Sequence, residues 1–317
     1  MRAKTSGWPV PETVAGLLKA HHERPDPLGL VLDVGCGRGT STLVLGECLS
    51  ARRVIGLDAS ASLLAQARER IQDPANTRVE FVEGDFHDLP LGTSACDAAV
   101  AAFCLYHSPR PQDVVTQIAR VLAPGGLAVL ITKGLDSYRE MDQLVVEAGL
   151  DIHATQHESL CAAAHSGNLA DLAATSLDVI AVQEEEHTFT FDGHDHVAQY
   201  LATNPKYEFG PGLYGNPGAV AATLHEFLPD HPQSTRSLSP SSSPGRRGGA
   251  RERALYEALR RAGAHCSRRP SLQVARRTRE AVEAARASGH RPAESDLRTR
   301  CSRDFPGTIL KVRSEPR

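Results

Sequence analysis

"VLDVGCGRGTS", residues Val31–Ser41, sets three alternating glycines behind an apolar run, with an aspartate two places before the first. Glycine is demanded where a backbone turns sharply or comes close to a ligand. A buried strand, such a loop and then a helix N-terminus present backbone N–H groups to a polar ligand. The dinucleotide pattern G-x-G-x-x-G places its glycines at offsets 0, 2 and 5. Here Gly35, Gly37 and Gly39 fall at 0, 2 and 4. That spacing, with Asp33 beside it, suits a cationic ligand better than a pyrophosphate and argues against a nicotinamide dehydrogenase.

Working outward, strand-like and helix-like stretches alternate. "PETVAGLLKAHH" reads as a leading helix and "GLVLDVG" as a buried strand. "TSTLVLGECLSA" reads as a helix capped by Thr40 or Ser41. "RVIGLD", "RVEFVEGD", "CDAAVAAFCL" and "GGLAVLITKG" read as further strands. "PQDVVTQIARVL" places Val114, Val115, Ile118, Val121 and Leu122 on one helical face. Strands separated by helices of about ten residues predict βαβ units and a parallel sheet. Further on, "LDVIAVQEEEHTFTF" alternates like a strand near the sheet edge. "DHVAQYLATNPKYEFGPGLYGNPGAVAATLHEFL" reads as two helices around a Gly/Pro-rich loop.

Composition bounds the rest. The 317 residues suffice for one large domain or two ordinary ones, and 41% hydrophobic with 23% charged residues is a globular balance. No apolar run approaches the roughly 20 residues of a membrane helix, so no membrane partner is expected. The first residues lack an apolar signal core. Seven scattered cysteines without a CxxC pair suit a reducing cytoplasm. The net charge of −3 hides an asymmetry: residues 236–317 balance at +12 and residues 1–235 at −15.

"LDVGCGRGT" resembles the first motif of the class I S-adenosylmethionine (SAM) dependent methyltransferases, and the series continues in order across residues 28–133. The best likeness is to the branch that methylates small molecules, including ubiquinone/menaquinone-type and natural-product tailoring enzymes. The resemblance implies an α/β fold: a Rossmann-like, doubly wound, mostly parallel sheet of six or seven strands with flanking helices, plus an Arg-rich C-terminal tail. It implies SAM as cofactor and a small-molecule methyl acceptor as partner. Asp33 would lie by the methionine ammonium. Gly35, Cys36, Gly37 and Gly39 would let the backbone approach. Asp58, followed by Ala59, would accept the ribose hydroxyls. Asp85 would accept from the adenine amino group, with Phe86 near the ring. Phe103 stands at the end of the fourth strand, which faces the methyl group. "VLAPGGLAVLITK" resembles the turn into strand five.

A sulfonium methyl is already electrophilic, so the protein's task is positioning. An oxygen or carbon acceptor must also lose a proton. His107, just past the strand ending "AAFCLYH", is the candidate general base, and Tyr106 the second. "NPKY" (Asn204–Tyr207) lies about 100 residues beyond the position of the amino-methylation motif and lacks its second proline; it reads as a substrate-side loop. His194, His196 and Asp192 have metal-ligand chemistry without metal-ligand spacing, so no metal is expected. Tyr200, Tyr207, Phe209 and Tyr214 are lid candidates, as is Trp8 with the leading helix.

The expected organisation is a methyltransferase domain over 1–233, with substrate-side or lid helices in 135–233. A linker at 234–250 and an Arg-rich helical or disordered extension at 251–317 follow. Three readings of the tail stay open. It is a nucleic-acid or partner-binding arm, an insertion before a last strand at "TILKV", or a non-native extension; the abrupt compositional shift favours the last. The alternatives to small-molecule methylation are an RNA methyltransferase using the basic tail and a non-methylating SAM-binding cyclase or scaffold.

Overall fold

The computed structural model describes residues 4–5, 10–21, 27–71, 78–185, 187–237 and 307–314. In chain order the elements are β1 (Lys4–Thr5), α1 (Val10–His21), β2 (Leu28–Val34), α2 (Thr40–Cys48), β3 (Ala51–Asp58), α3 (Ala61–Glu69), β4 (Val79–Glu83) and β5 (Cys96–Ala102). A 3₁₀ turn (Leu105–His107) leads to α4 (Pro111–Val121), β6 (Leu122–Thr132), α5 (Arg139–Glu147), α6 (Leu169–Ala174), β7 (Asp178–Glu185) and β8 (His187–Phe191). Then come α7 (His194–Leu201), α8 (Pro217–Phe227), β9 (Gln233–Ser237) and β10 (Gly307–Arg313).

Among the described residues the main sheet has seven strands in the order β4-β3-β2-β5-β6-β10-β7. From β4 to β6 every pairing is parallel, and β10 is antiparallel to both its neighbours. Strands buried on both faces need continuous apolar runs. On β2, Leu32 and Val34 join the core that Val114, Val115, Ile118 and Val121 of α4 complete; Val31 is fully buried as well. Pro111 sits in the first turn of α4, and the Ser60 hydroxyl caps α3 by accepting from the Leu63 N–H. The strand order reverses between β2 and β5, so their C-terminal ends diverge and leave a crevice.

A smaller antiparallel sheet, β1-β8-β9, packs with α5, α7 and α8 around Met141, Leu144, Phe191, Val197, Leu201 and Leu224. Two sequence expectations change here. Gln233–Ser237 is an edge strand of this sheet, not the start of a linker; Thr235 Oγ1 and the Arg236 N–H donate to Glu140 Oε2, and the Arg236 carbonyl accepts from the Tyr138 N–H. Gly307–Arg313 belongs to the main sheet, not to an extension, and lies inside it, not at its edge. Leu310 and Val312 are fully buried there, and the strand pairs with β6 from Thr308 opposite Thr132 to Arg313 opposite Leu127. The insertion reading accounts for this strand; the non-native reading does not. Residues 238–306, with most of the expected linker and the arginine-rich stretch, lie outside the described residues, as does Trp8. Among the described residues no helix is long and apolar enough to cross a membrane.

Candidate active site

The crevice between β2 and β5 opens into a cavity of about 370 Å³. Gly35 and Gly37 from the first loop, Asp58 and Ala59 from the end of β3, and Phe86 line it. Phe103 and His107 after β5 are the remaining residues anticipated from sequence that line it. Leu57, Leu63, Gly84 and Cys104 line it too; nothing in their sequence context marked them, because tertiary packing alone turns them inward.

The glycines act in different ways. Gly35 has φ +64, and a Cβ there would stand 2.5 Å from Cys104 Cβ, so the loop closes directly onto the end of β5. Gly39 does not line the cavity. At φ +70, a Cβ on it would strike Phe81 Cζ at 2.5 Å and Ala67 Cβ at 2.9 Å, so this glycine lets α2 pack against the sheet and α3. The Gly37 N–H donates to Asp58 Oδ2 at 2.7 Å, and the Ser60 N–H to Oδ1 at 2.9 Å. Asp58 thus ties the glycine loop to the end of β3. A carboxylate has about four acceptor sites, so it keeps capacity for two ribose hydroxyls.

Asp33, Cys36, Asp85 and Tyr106 do not line the cavity. Strand alternation explains Asp33: between core-facing Leu32 and Val34, it points to the opposite face, 2% exposed, and accepts from Thr42 Oγ1 at 2.6 Å. Burial raises its pKa to about 7 against the bonds from Thr42, and Asp58 adds to the rise. Cys36 is half-buried, and burial with the charges of Asp33 and Asp58 holds its thiol protonated. Asp85 faces solvent and opens a turn, accepting at Oδ1 from the His87 N–H (2.8 Å) and bonding His87 Nδ1 (2.7 Å). Those bonds lower its pKa. His87 Nε2 in turn bonds Ser108 Oγ at 2.7 Å, which braces Phe86.

The 3₁₀ turn after β5 sorts three side chains: Leu105 goes to the core, Tyr106 packs beneath, and His107 reaches the cavity. His107 is held below the ordinary histidine pKa by burial and by the nearby Lys133 charge. Lys133, just past β6, was missed by the sequence reading; the sole hint is a lysine ending an apolar strand in "LITKG". Its Nζ lies 5.7 Å from the Phe103 ring centroid, 5.9 Å from Tyr106 and 4.7 Å from Tyr138. Burial pulls the Lys133 ammonium down, but Tyr106, Tyr138 and Tyr200 hold it above the ordinary lysine value. Its polar partner is the Tyr138 side chain, to which it hydrogen-bonds. Burial pushes the Tyr106 hydroxyl up to about 12.

A family model described as a methyltransferase domain matches residues 31–126, the span that builds this cavity. Residues 31–126 thus carry a methyltransferase domain of the class I SAM-dependent kind. An uncharacterized 37.1 kDa protein in transposon TN4556 of Streptomyces fradiae is 38% identical over 107 residues, covering 33% of this chain and 30% of that protein. The malonyl-(acyl-carrier protein) O-methyltransferase of Marinomonas sp. (strain MWYL1) is 30% identical over 163 residues, 51% of this chain and 58% of the other. The demethylmenaquinone methyltransferase of Lactococcus lactis is 34% identical over 102 residues, 32% and 40% of the two chains. The chain therefore spans between about a third and three-fifths of the length of these curated relatives.

The segment that holds "NPKY" is anchored on α5. In "NPKY", the Lys206 Nζ pairs with Asp142 of α5 at 2.5 Å and the Tyr207 hydroxyl donates to the same carboxylate at 3.0 Å. Tyr207 is buried and Tyr214 exposed, so neither borders the cavity, whereas Tyr200 joins the Tyr138 ring beside Lys133.

Proposed function

We propose that this chain transfers a methyl group from SAM to a small acceptor bearing an ionisable hydroxyl of the phenol or enol kind. One juxtaposition carries the reading. The cavity at the switch point ends against His107, and the Lys133 cation stands among aromatic rings behind Phe103 on that side. Asp58, Gly35, Gly37, Ala59, Phe86 and Phe103 would hold the cofactor, with Asp58 toward the ribose and Phe86, Leu63 and Gly84 toward the base. Asp33, Cys36, Gly39 and Asp85 support the loops around them. When bound, the sulfonium supplies an electrophilic methyl group.

His107, neutral near pH 7, takes the acceptor's hydroxyl proton on a ring nitrogen. Lys133 stabilises the oxyanion left behind, in surroundings where water is scarce and charge interactions are strong. Tyr106, its hydroxyl held protonated, forms a wall and is not the base. O-methylation and methylation of the adjacent carbon both begin with this deprotonation, so the site serves either. The quinone named in one relative, demethylmenaquinone methyltransferase, supports a hydroxylated ring as acceptor.

The test is labelled SAM with a panel of hydroxylated aromatics, enolisable dicarbonyls and amines. Label should pass to hydroxyl-bearing compounds. Transfer confined to amines overturns the proposal, and so does S-adenosylhomocysteine binding without any transfer. The second result would favour a cyclase or scaffold.

A further inference from the structure

The proposed reaction leaves one cluster unused. His194 opens α7 with its ring fully buried, and neither Nδ1 nor Nε2 has a hydrogen-bond partner. A buried polar group left unsatisfied is costly, which favours a ligand that satisfies it. Two more ligand-type side chains face it. The ring of His225, in the last turn of α8, has its centroid 5.0 Å away. Asp230 places Oδ1 3.8 Å from His194 Nδ1 and Oδ2 3.7 Å from His225 Nδ1. One donor atom from each of the three lies within 4.8 Å of the others.

The carboxylate is also fixed in place. Asp230 Oδ1 accepts from the His194 N–H at 2.9 Å, and a Cβ on Gly193 would stand 2.8 Å from that oxygen. Behind His225, Asp195 Oδ1 lies 3.5 Å from Nε2.

We infer that His194, His225 and Asp230 form a site for a divalent ion of the zinc type, with a fourth position open to solvent. Two imidazoles and a carboxylate are a zinc donor set, and three protein ligands plus water complete a tetrahedron. Zinc bonds of about 2.0–2.2 Å put donor atoms roughly 3.3 Å apart, so donors that lie within 4.8 Å of one another close by up to about 1.5 Å when the ion binds. Asp195 supplies the carboxylate that orients a ligating histidine from behind. Calcium and magnesium prefer oxygen donors and match this set poorly. The ion would tie the start of α7 to the end of α8 and the following loop. Since α7 carries Tyr200, this steadies the ring that packs, tilted, against Tyr138 beside Lys133.

The experiment is a cobalt(II) titration of the metal-stripped full chain, read by the visible bands of tetrahedral cobalt, with zinc and magnesium as competitors. One cobalt per chain, displaced by zinc and not by magnesium, is expected. His225→Ala and Asp230→Asn alter half-exposed side chains and leave buried His194 in place. Each should weaken cobalt at least about 10-fold, since even partners behind the ligands cost 10–100-fold. His157→Ala, a histidine paired elsewhere with Asp151, should bind as the parent does. Absence of tetrahedral bands, or equal affinity in the parent, His225→Ala and Asp230→Asn, overturns the inference. Circular dichroism of each variant separates lost ligation from lost folding.

Discussion

Replacing Asp33 with asparagine tests whether the floor of the glycine loop carries an electrostatic penalty. The carboxylate is 2% exposed, and burial raises its pKa to about 7. In the unfolded chain it ionises near 3.9. Between about pH 4 and pH 7 the folded chain therefore keeps a proton that the unfolded chain has released. Stability from this group is greatest below that window, falls as pH rises through it, and is lowest above it. About three pKa units at roughly 1.4 kcal/mol each make a penalty on the order of 4 kcal/mol at about pH 8. Asparagine has nearly the same shape, bears no charge, and can still accept from Thr42 Oγ1. Asp33→Asn should match the parent near pH 4 and exceed it by up to about 4 kcal/mol near pH 8. Urea unfolding followed by far-UV circular dichroism at a series of pH values measures this. The difference between the two proteins cancels the other carboxylates. A difference that stays flat from pH 4 to pH 8, or a variant weaker than the parent at pH 8, refutes the argument.

Other outcomes follow from the same geometry. His107→Gln should lower kcat about 10²–10⁴-fold on a hydroxyl acceptor and leave S-adenosylhomocysteine affinity within a few-fold in calorimetry. Because burial and Lys133 depress the His107 pKa, the acid limb of the kcat/KM profile should fall below the ordinary histidine value of about 6.5, with activity lost as pH drops through it. Lys133→Met keeps the apolar length and removes the charge, so it should raise acceptor KM or lower kcat in steady-state assays while cofactor affinity holds. Gly39→Ala places a methyl group against Phe81 and Ala67 at positive φ, which should cost about 1–3 kcal/mol in urea unfolding.

Most of the fold was legible because it rests on local chemistry. The apolar runs of β2, β3, β5 and β6, the helical face of α4 and the glycine spacing each state their role within a dozen residues. The place of Asp58 at one strand end and of His107 just past another was legible in the same way. The last strand was harder: "TILKV" pairs with partners some 180 and 130 residues earlier, and no short window encodes that register. Asp33 and Asp85 show a different limit. A motif names the residue, but strand alternation and a two-residue turn decide where its carboxylate points.

From the sequence alone came the parallel α/β sheet, the glycine loop, and the strand ends that hold Asp58 and His107, because periodicity and glycine chemistry act between near neighbours. Only the tertiary structure decided which carboxylates face the cavity. It alone set Lys133 among three aromatic rings and gathered His194, His225 and Asp230. Lys133 stands 27 and 30 positions from Tyr106 and Phe103, and His194 stands 31 and 36 from His225 and Asp230; distance in space is set by packing, not by spacing in the sequence.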